Sequence, residues 1–280
     1  MTLMTKADLD EPPTAKERGL PTLLRAARAI LLIGLMCTSP SARADDRIVV
    51  FAAASLSGAM GEILKAFNTA HRTNAVGAYA SSGTLARQIE NGAEPALFIS
   101  ANWNWMKALI EKGLIERKDT TSLVGNTLVL IAPRATKTDR NIPVLSPDYF
   151  ASVLKNGERL AMGNPDHAPV GFYGREALTT LGLWTTVAPN IAVGQNASAA
   201  VTMVARGEAK LGLVYQSDIQ GLTSVVKIAS IPERSHEPIY YQAAPLTSRA
   251  SDTKALKLLQ FIKSSYAKTT FEKYGFKVLP

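Results

Sequence analysis

The sequence is short of the residues that carry covalent and metal chemistry. Its 280 residues include one cysteine and three histidines. The cysteine, Cys37, lies inside an N-terminal apolar run, so the rest of the chain can form neither a disulfide nor a thiolate metal site. His71, His167 and His236 stand far apart, and none has a histidine or carboxylate at ligand spacing. There is no G-x-S-x-G, no Walker loop, no G-x-G-x-x-G and no H-E-x-x-H. Beyond the N-terminus no segment approaches the ~20 apolar residues of a membrane-spanning helix. The net charge of +8 is spread along the chain without aromatic residues between the basic ones. That pattern argues against nucleic acid and implies only a mild attraction for anions.

What is present begins with a leader. Basic residues ending at Arg25 and Arg28 precede the apolar run Ala29–Cys37, and Ala42-Arg43-Ala44 supplies a small-x-small end. These are the parts of a secretory signal, expected to cover residues 1–44 with cleavage after Ala44. Asp8, Asp10 and Glu11 make the stretch before it unusually long and acidic, pointing to a translation start at a later Met or Leu. Met36 before Cys37 argues against a lipid anchor. Export without disulfides fits a bacterial periplasm, and the remaining chain is long enough to bury a core without staples.

Strand and helix patterns then alternate. Ile48-Val49-Val50-Phe51 runs into three alanines and Ser55, after which Leu56, Ala59, Met60, Ile63, Leu64 and Phe67 recur at helical spacing. A buried strand therefore stops on small residues and restarts as a helix with Ser55 at its N-cap. Similar junctions follow at Ser81-Ser82-Gly83-Thr84, at Gly163-Asn164-Pro165 through Pro169-Val170-Gly171, and at Gly194-Gln195-Asn196-Ala197. Ser146-Pro147 reads as a helix start, a final helix is expected from about Asp252 to Ser264, and Gly125-Asn126 and Pro238–Pro245 are candidate crossovers. The alternation predicts an α/β fold with a mainly parallel sheet.

In such sheets ligands bind at the carboxyl ends of the strands, where these junctions lie. A helix start offers free N–H groups and a positive dipole end, and a serine adds a hydroxyl donor, so the cluster favours an anion. Taken singly, each junction is also an ordinary capped turn; recurrence favours the anion reading. The remaining candidates have plain explanations. His71 and His236 read as solvated, and His167 as a surface residue near the cleft. Trp103, Trp105 and Trp184 read as helix packing, Tyr215 as a strand-end core residue, and Arg87 as a solvent-facing or ion-paired cation.

The chain resembles the molybdate-binding periplasmic proteins of ABC importers. The motifs that carry the likeness are Phe51-Ala-Ala-Ala-Ser-Leu56, Tyr79-Ala-Ser-Ser-Gly-Thr-Leu-Ala-Arg-Gln-Ile89, Leu97-Phe-Ile-Ser-Ala101, Gly125-Asn-Thr-Leu-Val129, Gly163-Asn-Pro165, Pro169-Val-Gly171, Gly212-Leu-Val-Tyr-Gln-Ser-Asp218 and Tyr274-Gly-Phe276. The resemblance implies a two-domain type II periplasmic binding protein, each domain a mixed, mainly parallel sheet flanked by helices, the two joined by two crossover strands. Domain 1 would comprise residues 45–125 plus 243–280, and domain 2 residues 126–242. It implies that Ser55 and Ser82 bind a molybdate oxyanion through hydroxyl and backbone N–H. Val170 and Ala197 would bind through backbone N–H and Tyr215 through its hydroxyl. Molybdenum would be held only as molybdate, with tungstate as a second ligand, no cofactor and no catalysis. The expected partners are membrane permease subunits, and the protein is expected to be a monomer that binds no nucleic acid. Two departures stand out: Ala96 occupies a position where the family usually has Asp, and Gly83 one that is often a third serine.

None of the five positions is charged, so the anion would be held by neutral donors in a site that is dry once closed, where each bond is strengthened. A protonated oxyanion such as hydrogen phosphate needs an acceptor there, so fully deprotonated dianions fit better. Sulfate is the alternative on the same scaffold. A serine hydrolase using Ser55 is the alternative from another class, and it lacks a histidine–carboxylate pair beside the serine.

Overall fold

The computed structural model describes residues 47–135 and 145–279. The expected leader, with Cys37 and the expected cleavage point after Ala44, lies outside the described residues. The segment Asp46–Pro280 holds together as one unit.

Its first sheet grows from the run that opens the alternation. Strand β1 (Arg47–Ala53) is β-branched at Ile48, Val49 and Val50, and it lies between β2 (Asn74–Ala80) and β3 (Leu97–Ser100), parallel to both. A central parallel strand is covered on both faces, and Val50, Ala52 and all of β3 are accordingly buried. Outward from β3 come β10 (Tyr240–Pro245), β4 (Thr121–Gly125) and the short β11 (Lys277–Val278), giving the order β11-β4-β10-β3-β1-β2. Only β10 and β11 run against the other strands.

The second sheet has the order β7-β6-β8-β5-β9, from β5 (Leu128–Pro133), β6 (Leu160–Gly163), β7 (Ile191–Gly194), β8 (Leu211–Tyr215) and β9 (Val225–Ser230). Here β5 alone runs against the rest. Both sheets are thus mixed, with one dominant strand direction.

Helices cover them. In the first lobe α1 (Ser57–His71) buries Ala59, Met60, Ile63, Leu64 and Phe67, the face its spacing predicts. Each fully buried large side chain of this kind contributes about 1.5–3 kcal/mol relative to exposure. Next come α2 (Ser82–Glu90) and α3 (Trp103–Glu111), the latter capped by Asn102, whose side chain accepts from Asn104 N–H at 2.7 Å. The second lobe carries α4 (Pro147–Val153), α5 (Pro169–Thr180), α6 (Trp184–Val187) and α7 (Ala197–Ala205). Ser146 caps α4, with Pro147 at the first helical position as its sequence suggests.

The C-terminus departs from the single expected helix. Helix α8 (Thr253–Ile262) starts at its Asp252 cap, but Ser264 then caps a second helix, α9 (Ser265–Lys273), by accepting from Ala267 N–H. Gly275, at φ +80°, turns the chain into β11. The break follows from Ser264 offering the backbone a competing hydrogen bond.

The chain crosses between sheets twice. Asn126 and Thr127 join β4 to β5, and residues 231–239 lead from β9 back to β10. The crossings touch, since Asn126 N–H donates to Ile239 O at 3.2 Å.

Candidate functional site

The carboxyl ends of β1, β2, β6, β7 and β8 converge on one cavity. Its walls include Ser55, Ser81 and Ser82 from the first lobe and Val170, Asn196, Ala197 and Tyr215 from the second. All five residues singled out from the sequence, Ser55, Ser82, Val170, Ala197 and Tyr215, therefore meet. No lining side chain is charged. The free space between these walls is small, about enough for one water.

Each wall has its own local cause. Ser55 is not the N-cap of α1, contrary to the sequence reading. It sits in a 3₁₀ turn, Ala54–Leu56, and Leu56 takes the cap position with no side-chain bond. Its hydroxyl is occupied elsewhere, with Oγ 2.7 Å from the Tyr241 hydroxyl on β10. At the second junction Ser81 is the cap, accepting from Thr84 N–H at 3.2 Å, which leaves Ser82 as the first helical residue. Ser82 is fully buried, and its Oγ accepts from Ala101 N–H at 3.1 Å.

In the second lobe Pro169 opens α5 without an N–H, so Val170 presents the first one. The loop packs tightly enough that a Cβ on Gly171 would lie 2.1 Å from Gly163 O, which excludes any side chain there. Asn196 caps α7 through Ala199 N–H at 2.9 Å, leaving Ala197 N–H at the helix start. Among the described residues the N–H groups of Ser55, Ser82, Val170 and Ala197 have no hydrogen-bond partner. Tyr215 completes the set: it is 1% exposed, yet its hydroxyl is buried without a partner among the described residues.

Burial holds the Tyr215 phenol well above its ordinary range, and Tyr241 likewise, so both remain neutral donors. Behind them Asp218 accepts from Tyr215 N–H at 3.0 Å, and burial pushes its carboxyl up to about 7. The arrangement is a wall of neutral N–H and O–H donors, which can stabilise an anion and offers little to a cation. Among the described residues no group of three or more His, Cys, Asp or Glu could hold a metal ion.

The lobes touch at the rim of the cavity. Gly83 N–H donates to His167 O at 3.1 Å, and the His167 Nδ1 lies 3.1 Å from Ser81 Oγ. His167 is thus a half-buried residue near the cleft that also makes an inter-lobe contact. Its pKa is lowered, first by burial and then by the nearby Arg87 guanidinium. Arg87 itself lies over the Trp105 ring, 5.6 Å from its centroid. A Cβ on residue 83 would come within 2.5 Å of His167 O and of Trp105 Cζ2, so glycine permits this approach. Ala96 lies at the head of β3, outside the cavity lining, its N–H donating to Val49 O at 2.7 Å.

The hydrolase alternative finds no base. Ser55 pairs with a tyrosine, His167 with Ser81, and His236 Nδ1 with Glu237 O at 2.8 Å, while His71 packs on Phe67 and Phe261. Sequence reasoning missed Tyr241, Asn126 and Ser217, which form a buried polar group behind Ser55. Tyr241 reads as one more apolar strand residue, and nothing local marks its hydroxyl.

Comparison with known proteins places the chain among relatives. The family model for bacterial extracellular solute-binding proteins matches residues 48–277. The chain is 39% identical over 239 residues to the molybdate-binding protein ModA of Escherichia coli (strain K12), covering 85% of this chain and 92% of that protein. It is 36% identical over 255 residues to the ModA of Haemophilus influenzae, covering 91% and 98%. The solved periplasmic molybdate-binding protein of Azotobacter vinelandii superposes with a TM-score of 0.71 at 25% identity, over 83% of this chain and 99% of that one.

Proposed function

This chain belongs to the bacterial extracellular solute-binding proteins, and we propose that it captures molybdate, and also tungstate, in the periplasm and delivers it to the permease subunits of an ABC importer. Ser55 and Ser82 bind the dianion through hydroxyl and backbone N–H, Val170 and Ala197 through backbone N–H, and Tyr215 through its hydroxyl. The observation that carries the reading is the unpartnered Tyr215 hydroxyl, buried against a shell of four free N–H groups. A folded protein seldom leaves such groups unpaired, and an anion with several acceptor oxygens pairs them together.

The relatives' names point to the same ligand, and the uncharged, donor-lined wall is in keeping with it. The donor set also accounts for selectivity. Hydrogen phosphate must place a proton against the wall, where no lining side chain is a carboxylate that would receive it, whereas molybdate and tungstate carry none. Titration calorimetry with molybdate, tungstate, sulfate and phosphate tests this. Molybdate and tungstate should bind tightest and phosphate weakest; sulfate equal to molybdate, or phosphate ahead of either, refutes the assignment.

A further inference from the structure

The side chain that aims Ser55 at its ligand is not itself in the cavity. Tyr241 stands on β10 with no solvent exposure, its Oη 2.7 Å from Ser55 Oγ and 3.1 Å from Asn126 Nδ2. Thr127 N–H donates to Asn126 Oδ1 at 2.9 Å, which fixes how the Asn126 amide faces. Its Nδ2 protons therefore go to Ser217 Oγ, at 2.8 Å, and to Tyr241 Oη.

The direction of the remaining bond follows from proton bookkeeping. Tyr241 Oη already accepts from Asn126, and its single proton has Ser55 Oγ as an acceptor within reach. If Ser55 donated instead, the phenolic proton would be buried with no acceptor, an arrangement that folded proteins avoid. Ser55 Oγ thus accepts from Tyr241, and its own proton is turned toward the cavity. Ser82 is treated in the same way by Ala101 N–H.

We propose that Tyr241, oriented by Asn126, is a positioning and specificity residue: by occupying an acceptor lone pair of Ser55 Oγ it turns the serine proton toward the ligand and lowers the serine's capacity to accept, and so disfavours oxyanions that keep a proton. The inference rests on the oxyanion reading above. It also ties ligand selection to the connections between the lobes. Asn126 belongs to the first crossing and Tyr241 follows the second, and Asn126 N–H donates to Ile239 O at 3.2 Å. A chain of hydrogen bonds therefore runs from both crossings to the ligand.

The test is a double-mutant cycle on the full protein, with Tyr241→Phe, Ser55→Ala and the pair, titrated with molybdate and with phosphate. Tyr241→Phe keeps the ring and should weaken molybdate roughly three- to tenfold, the effect of one hydrogen bond lost to a ligand-binding group. Phosphate should lose less, or gain, so the ratio of the two affinities narrows. In the Ser55→Ala background the same change should have no further effect. Additive losses, or an unchanged molybdate-to-phosphate ratio, overturn the proposal, because either would mean that Tyr241 acts by packing alone. Asn126→Asp is the second variant. Its added carboxylate oxygen draws the Tyr241 proton away from Ser55, and the ratio again should narrow even as the added charge weakens both anions. Should the unmutated protein bind no oxyanion, the functional reading itself fails. Should it bind molybdate through Ser55 while the cycle is additive, only the role of Tyr241 fails.

Discussion

Removing one oxygen atom from Tyr215 should separate binding from stability. The side chain is 1% exposed and its hydroxyl has no partner among the described residues, so in this lobes-together arrangement without an anion it is an unsatisfied buried donor. Such a group costs about 1–3 kcal/mol. Tyr215→Phe relieves part of that, and a gain of about 1 kcal/mol raises the unfolding midpoint of a chain this size by roughly 2–4 °C. The bound state responds with the opposite sign. A hydroxyl donating to a dianion in a dry site makes a charge-assisted bond of about 1.5–3 kcal/mol, so molybdate should bind about ten- to a hundredfold more weakly. Burial holds the phenol far above neutrality, so neither effect should vary between pH 6 and 8, on the order of the range where binding is measured. Scanning calorimetry without anion and titration calorimetry with molybdate read the two halves. An affinity equal to the parent's would show that the hydroxyl does not face the ligand. A lower midpoint in the anion-free variant would show that the hydroxyl has a partner in the folded protein.

Two further predictions concern the rim and the shell behind it. Gly83→Ala places a methyl group 2.5 Å from His167 O, so the lobes must part. Molybdate should then leave roughly ten times faster, read by stopped-flow displacement, and an unchanged off-rate would remove this contact from the closed state. Asp218, pushed up to about 7 by burial from an ordinary 3.8, keeps a proton in the folded protein that the unfolded chain releases. Its contribution to stability is therefore greatest below about pH 4, falls as pH rises to about 7 and is level beyond. Asp218→Asn should remove that decline, so the variant's melting midpoint gains on the parent's across this window. A constant difference between the two would place the carboxyl near its ordinary pKa.

The architecture was legible because its signals are local. Runs such as Ile48–Val50 and Leu128–Ile131 can only be satisfied in a sheet covered on both faces, and the spacing from Ala59 to Phe67 marks the face α1 buries. The junctions were legible for the same reason: clusters of small and polar residues before a helical turn recur at the walls around Ser55, Ser82, Val170 and Ala197, though not at Tyr215. What escaped was any choice made by distant partners. Ser81 and Ser82 are neighbours with equal capping propensity. Sequence cannot say that Ser81 takes the cap while Ser82 turns inward to Ala101. Ser55 looked like a cap because its partner, Tyr241, is 186 residues away and reads as core.

On the proposed reading, that division accounts for how a site without charge would both hold and release a dianion. In the closed state both serine oxygens are already engaged by protein donors, which leaves their protons for the ligand. The surrounding apolar core lowers the local dielectric, so each N–H and O–H bond to the anion is stronger than in water. No ion pair has to be broken for release. Were the contact between Gly83 and His167 to part, water would reach the same donors, the dielectric would rise, and the binding energy would fall without any wall side chain changing its protonation. A lysine or arginine in the wall would keep attracting the anion through the open state, and it would attract protonated oxyanions as well. On that reading the neutral wall makes affinity depend on closure and selectivity depend on protons, and the direction of the Tyr241–Ser55 bond links the two.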